Sequence, residues 1–107
     1  MDHETAQHVA EVLKAVAHPV RLQVIEALQS GERCVGDLVE RLDIPQAAVS
    51  QQLGIMKDKD VLQCRREGTK AFYSIKNPNV ITLLHCVYHH CDRNVKTEER
   101  TVERNEK

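Results

Sequence analysis

The sequence has no tryptophan, only 3% aromatic residues among its 107, no CxxC pair, no internal repeat and no surplus of either charge. Each absence excludes something. With so few aromatics the core has to be Val, Leu, Ile and Ala, the composition of a small helical protein. No run approaches the ~20 apolar residues of a membrane span. The opening MDHETAQH has neither the basic nor the apolar stretch of a signal peptide, so a soluble, cytoplasmic protein is expected. There is no glycine-rich phosphate loop and no nucleophile motif, and too little chain to enclose a substrate, which leaves an enzyme the least supported class. A net charge of -1 gives no general attraction to nucleic acid, so any basic footprint has to be local. Cysteines 34, 64, 86 and 91 lack the spacing of a disulfide-bonded miniature domain. In a reducing compartment such thiols are buried, metal-bound or redox-active.

What is present organises around VGDLVERLDIPQAAVSQQLGIMKDK, residues Val35 to Lys59. Leu38, Val39 and Leu42 share one face of a short helix, and Val49, Leu53 and Met56 fall at i, i+4 and i+7 of a second. Only Asp43-Ile44-Pro45 separates them, with Pro45 suited to the first position of a new helix. This is a helix-turn-helix. The outward face of its second helix carries Gln46, Ala47, Ser50, Gln51, Gly54 and Lys57, almost free of carboxylates until Asp58. Such a face is either an ordinary solvated surface or a reading head for the major groove. Gln pairs bidentately with adenine, Ser bonds to either kind of base, and Ala meets a thymine methyl.

The flanking chain favours the second reading. Thr5 to Ala17 forms a helix with Val9, Val12, Leu13 and Val16 on one stripe, and Pro19 opens another, apolar on most sides, that ends at Ser30-Gly31. Val61 to Ile75 reads as a β-hairpin turning at Glu67-Gly68-Thr69-Lys70, with Arg65, Arg66 and Lys70 near its tip, placed to reach phosphates beside the groove. A last helix runs from Pro78 to about Asn94, and its stripe of Val80, Leu84, Val87 and Cys91 is more apolar than a terminal helix on a small monomer needs. The expected fold is therefore mainly α with a small β-hairpin: a winged helix-turn-helix of about five helices plus a two-stranded wing. One domain should span 1-95, followed by a charged, flexible tail over 96-107.

Three blocks carry a family resemblance: LKAVAHPVRLQVIEAL (Leu13 to Leu28), GERCVGDLVERLDIPQAAVSQQLGIMKDKDVL (Gly31 to Leu62) and RREGTKAFYSI (Arg65 to Ile75). Together they resemble ArsR/SmtB-type winged-helix repressors. The resemblance implies a homodimer joined through the first and last helices, with Val9, Leu13, Leu84 and Val87 at the seam. It implies repression of a palindromic double-stranded DNA operator, whose half-sites lie roughly 34 Å apart, and release by an effector. The DNA contacts carried over are Gln46, Ser50, Gln51, Gln52 and Lys57 of the recognition helix, with Arg65, Arg66 and Lys70 of the wing.

The effector stays open. The family's paired-thiolate site reads CVC, and here the chain has Cys34-Val35-Gly36. Its last-helix zinc site aligns with Asn77, Asn79, His90 and Arg93, of which only His90 is a ligand. VSQQLGIMKD and YSIKNP most resemble the persulfide-sensing branch, yet the positions of its two cysteines fall on Glu26 and His89. The last helix offers instead His85, Cys86, His89, His90 and Cys91, in i, i+4 pairs. These residues, with Cys34, are the candidates for holding a transition metal such as zinc or for reacting as thiols. The alternative function is a winged-helix DNA-binding or protein-interaction module with no effector site.

Overall fold

Three helices in this chain begin where a side chain supplies a cap. In the computed structural model, which describes residues 1–91 and side chains as far as His89, the Asp2 carboxylate accepts the Thr5 N–H at 2.8 Å. It thereby opens α1, His3–Val16, two residues earlier than expected. His18 is extended ahead of Pro19 and its Nδ1 accepts the Val20 N–H at 3.1 Å, so His18-Pro19 acts as cap and first residue of α2, Pro19–Leu28. Val24, Ile25 and Leu28 are buried, and α2 packs against α3, α4, β3 and α5. It is the central helix.

A two-residue strand, β1 (Arg33–Cys34), leads directly into α3, Val35–Leu42. Asp43 then takes the left-handed conformation at φ 55°, and its N–H bonds to the Val39 carbonyl at 2.9 Å. After it α4 runs Gln46–Asp58. Pro45 is the cap of α4, not its first residue, and its carbonyl accepts from Ala48 and Val49 at 3.0 and 3.1 Å. The wing is β2, Leu62–Glu67, paired antiparallel with β3, Lys70–Ile75, through a two-residue turn in which Gly68 takes φ 64°. β1 pairs with the other edge of β3, giving the order β1-β3-β2. A strand of two residues has no periodicity to read, and it was not part of the sequence expectation.

The Asn77 carboxamide accepts the Asn79 N–H at 3.1 Å and starts α5, Asn79–Cys91. The expected continuation of this helix to Asn94 and the expected tail over 96-107 lie outside the described residues. Five helices and a two-stranded wing are present as the sequence led one to expect, around a core of Val24, Ile25, Leu38, Val49, Leu53, Met56, Val61, Leu62 and Val80. Among the described residues no helix is long and apolar enough to cross a membrane.

Candidate nucleic-acid interface

Val49, Leu53 and Met56 are fully buried, so α4 is locked by its apolar stripe and shows its other side to solvent. Gln46, Ala47, Ser50, Gln51 and Lys57 are all exposed on it. The stripe is free of carboxylate until Asp58, and its side chains are short or end in an amide or ammonium.

Gln52 does not belong to that surface. It is 9% exposed, and its Oε1 accepts the Arg21 Nε–H at 2.7 Å. The same guanidinium donates through Nη1 to the carbonyls of Lys14 and Ala15 at 3.1 and 3.3 Å. Arg21 thus closes the C-terminal end of α1 and fixes the rotation of α4, a role that no local pattern in the sequence announces. As a direct base contact Gln52 is withdrawn, because a side chain held inward by a guanidinium cannot also reach a groove.

The wing divides its cations. Cross-strand partners Cys64↔Tyr73 and Arg66↔Ala71 share one face with Leu62↔Ile75, while Arg65↔Phe72 and Glu67↔Lys70 share the other. Arg65 lies over the Phe72 ring at 4.8 Å and is paired with Glu32 at 2.9 Å and Glu67 at 3.2 Å. Those hydrogen bonds, Glu32 first and Glu67 second, raise its pKa further above the usual guanidinium range. Arg65 is a tether between wing and body, and the expected cluster of three tip cations reduces to Arg66 and Lys70. Both are exposed, and neither takes part in an ion pair among the described residues.

Elsewhere, α1 and α5 leave apolar side chains in the open. Val9, Leu13, Leu83 and Val87 are 38, 44, 39 and 51% exposed. Leu84 is half-buried and packs on the core. Leu13, Leu84 and Val87 line an apolar hollow of about 250 Å³ with Val16, Leu22 and Val80, and Val9 lines a neighbouring one of about 280 Å³.

The candidate sensing residues are scattered. Cys34 is half-buried at the junction of β1 and α3, Cys86 is exposed, and both are free thiols. His85 and His89 are exposed, with ring centroids 4.7 Å apart. His90 and Cys91 lie in the last turn of α5, and their side chains fall outside the described residues. Among the described residues no three ligating side chains converge on one point. Asn77, which the resemblance aligned with a zinc ligand, is occupied in capping α5.

The comparisons agree with this arrangement. Residues 18–63 match the family described as bacterial regulatory protein, arsR family. The biofilm growth-associated repressor of Agrobacterium fabrum is 39% identical over 83 residues, covering 78% of this chain and 71% of the relative. The crystal structure of the transcriptional repressor BigR from Xylella fastidiosa superposes with a TM-score of 0.76 at 33% identity, over 85% of this chain and 97% of that one. A homodimeric winged helix-turn-helix DNA-binding domain from Mycobacterium bovis gives a TM-score of 0.76 at 30% identity, over 92% and 94%. With a winged helix in place and relatives matched along most of their length, the chain belongs to the arsR family of bacterial regulatory proteins.

Proposed function

We propose that the protein is a sequence-specific transcriptional repressor that binds a palindromic double-stranded DNA operator as a homodimer and is released by a metal ion or a thiol-reactive effector. The observation that carries this is the exposed stripe of Gln46, Ser50, Gln51 and Lys57 on α4, with Arg66 and Lys70 on the adjoining wing. The helix supplies donors and acceptors for base edges, and the wing supplies charge for phosphates. The names of the similar proteins, which include repressors and a homodimeric DNA-binding domain, support the same reading. It is a binding function, carried out in the cytoplasm, and assigns no catalytic residue.

The dimer follows from the open face of α1 and α5. Val9, Leu13, Leu84 and Val87 fit a two-fold seam, which would set two recognition helices about one DNA turn, roughly 34 Å, apart. The effector reading is supported by the exposed Cys86 thiol and the imidazoles of His85 and His89. The test is binding of the purified protein to its own promoter region and to random DNA over a range of salt. Promoter binding ~10³-fold or more above random, with a steep salt dependence, is expected. Equal binding to both sequences would leave only a nonspecific DNA-binding module.

A further inference from the structure

The wing is tied to the body from the loop before β1. There the backbone of Glu32 is pinned on both sides. The Gly31 N–H bonds to the Leu28 carbonyl at 3.1 Å. Arg33 pairs with Tyr73 of β3, and its guanidinium holds the Ala27 carbonyl at 2.8 Å, Asp37 at 2.8 Å and Ser30 at 3.0 Å. From that mount Glu32 Oε1 accepts the Nε–H and Nη2–H of Arg65 at 3.1 and 2.9 Å. Nη1 donates to Glu67 at 3.2 Å. The register puts Cys34, Phe72 and Arg65 in one row across the three strands, so Arg65 spans β3 to meet a residue beside β1.

We infer that Glu32 is a positioning residue that holds Arg65 back from DNA and so limits the number of phosphates the wing can grip. The inference rests on the DNA-binding half of the proposed function. Nε and Nη2 form an edge with which an arginine can grip a phosphate bidentately, and Glu32 occupies that edge. Arg65 stands on the third rung from the turn, but its guanidinium already touches Glu67 on the first. It is therefore within a side chain's reach of the tip, where Arg66 and Lys70 lie. Released, it adds a cation at that end. Held between two carboxylates, it belongs to a trio that is net negative.

Stability does not account for the arrangement. The side chains of Glu32, Arg65 and Glu67 are 42, 53 and 70% exposed, and ion pairs in such positions contribute little to folding. The hairpin has its own ladder, and its base is anchored by buried Leu62. What the clamp changes is the charge available to phosphate. Each phosphate neutralised steepens the fall of log affinity with log salt by ~0.9, and a guanidinium engaged by carboxylates neutralises none. Breaking the clamp should therefore strengthen DNA binding, whereas losing a merely structural contact would weaken it.

The test is the salt dependence of binding to random duplex DNA and to the promoter region by the full-length wild type, Glu32→Gln, and Glu32→Gln/Arg65→Ala. Gln keeps the size of the side chain but cannot neutralise a guanidinium, and Glu67 alone engages one nitrogen of three. The thermal midpoint of Glu32→Gln should stay close to that of the wild type. Its binding to random DNA should be tighter at low salt, with a slope steeper by ~1 unit, and the gain should shrink by about 3-fold between ~50 and ~200 mM salt. Adding Arg65→Ala should return the slope to the wild-type value. An unchanged or shallower slope in Glu32→Gln would overturn the inference. So would a steeper slope that survives Arg65→Ala, because the gain would then come from lost repulsion between Glu32 and DNA. The random-DNA arm needs no operator. A protein that responds to Glu32→Gln as expected yet shows no preference for its promoter would sink the repressor reading and leave the clamp standing. A wild type that binds neither DNA would overturn both.

Discussion

The two ends of this molecule treat their apolar residues in opposite ways. In the α3–α4 unit Leu38, Val49, Leu53 and Met56 are fully buried, and what is left outside is polar. In α1 and α5, Val9, Leu13, Leu83, Val87 and Tyr88 stay 38–55% exposed. The first unit is complete within one chain and is shaped to meet a polar surface. The second is incomplete, because a contiguous apolar face on a domain this small favours association. One chain therefore carries a finished reading head and half of an interface.

The largest effect should come from breaking the unfinished end. Val87→Glu places a charge at the centre of the open face, where a partner would bury it without a counter-ion. It is a cleaner probe than Leu84, which also packs on its own core. Sedimentation should show a monomer, and operator affinity should drop by ~10²- to 10⁴-fold as two-site binding is lost. A dimer of unchanged mass would move the seam away from α5.

At the finished end, neighbouring residues should separate sharply. Gln51→Ala removes an exposed amide and should relax base preference by ~1–3 kcal/mol. Gln52→Ala should act on stability instead, by ~1–3 kcal/mol in denaturant unfolding, because Arg21 loses a part-buried acceptor. If Gln52→Ala changes base preference as much as Gln51→Ala, the division between outward and inward amides is wrong.

A smaller difference is expected within the wing. Arg66→Ala should weaken operator and random DNA alike and lower the salt slope by roughly one unit. Arg65→Ala should leave that slope nearly unchanged, since its charge is already met by Glu32 and Glu67. Equal slopes for the two variants would mean that Arg65 leaves its carboxylates to meet phosphate.

These contrasts also mark what the sequence allowed one to read. Helical periodicity carried the burial of Val49, Leu53 and Met56 and the exposure of Gln46, Ser50 and Gln51, because that signal is local. Gln52 lies at the edge of the stripe, and its side is decided by Arg21, 31 residues away. Arg65 looked like a tip cation because composition groups it with Arg66. Strand alternation puts the two on opposite faces, and Glu32, 33 residues distant, claims the first. Pairings of that range leave no periodic trace in the chain.

The smallest effects should appear in the pH dependence of stability, and they separate the wing from the start of α1. Burial first, and then the Cys64 thiol beside it, raise the Tyr73 pKa above its ordinary value of 10.0, with Arg66 opposing. A raised value favours the neutral phenol in the folded chain. The stability it contributes is therefore whole below pH 10.0 and is lost as pH rises through the folded value. Asp2 behaves in the reverse sense. Its hydrogen bonds to Thr5 lower its pKa, so its contribution is present above the usual carboxylate range and lost as pH falls through the folded value. The thermal midpoint followed across pH should then have an alkaline limb that flattens in Tyr73→Phe. It should also have a fainter acid limb that flattens in Asp2→Asn, which keeps a capping acceptor but cannot titrate. An alkaline limb unchanged in Tyr73→Phe would place that loss at a group other than the Tyr73 phenol.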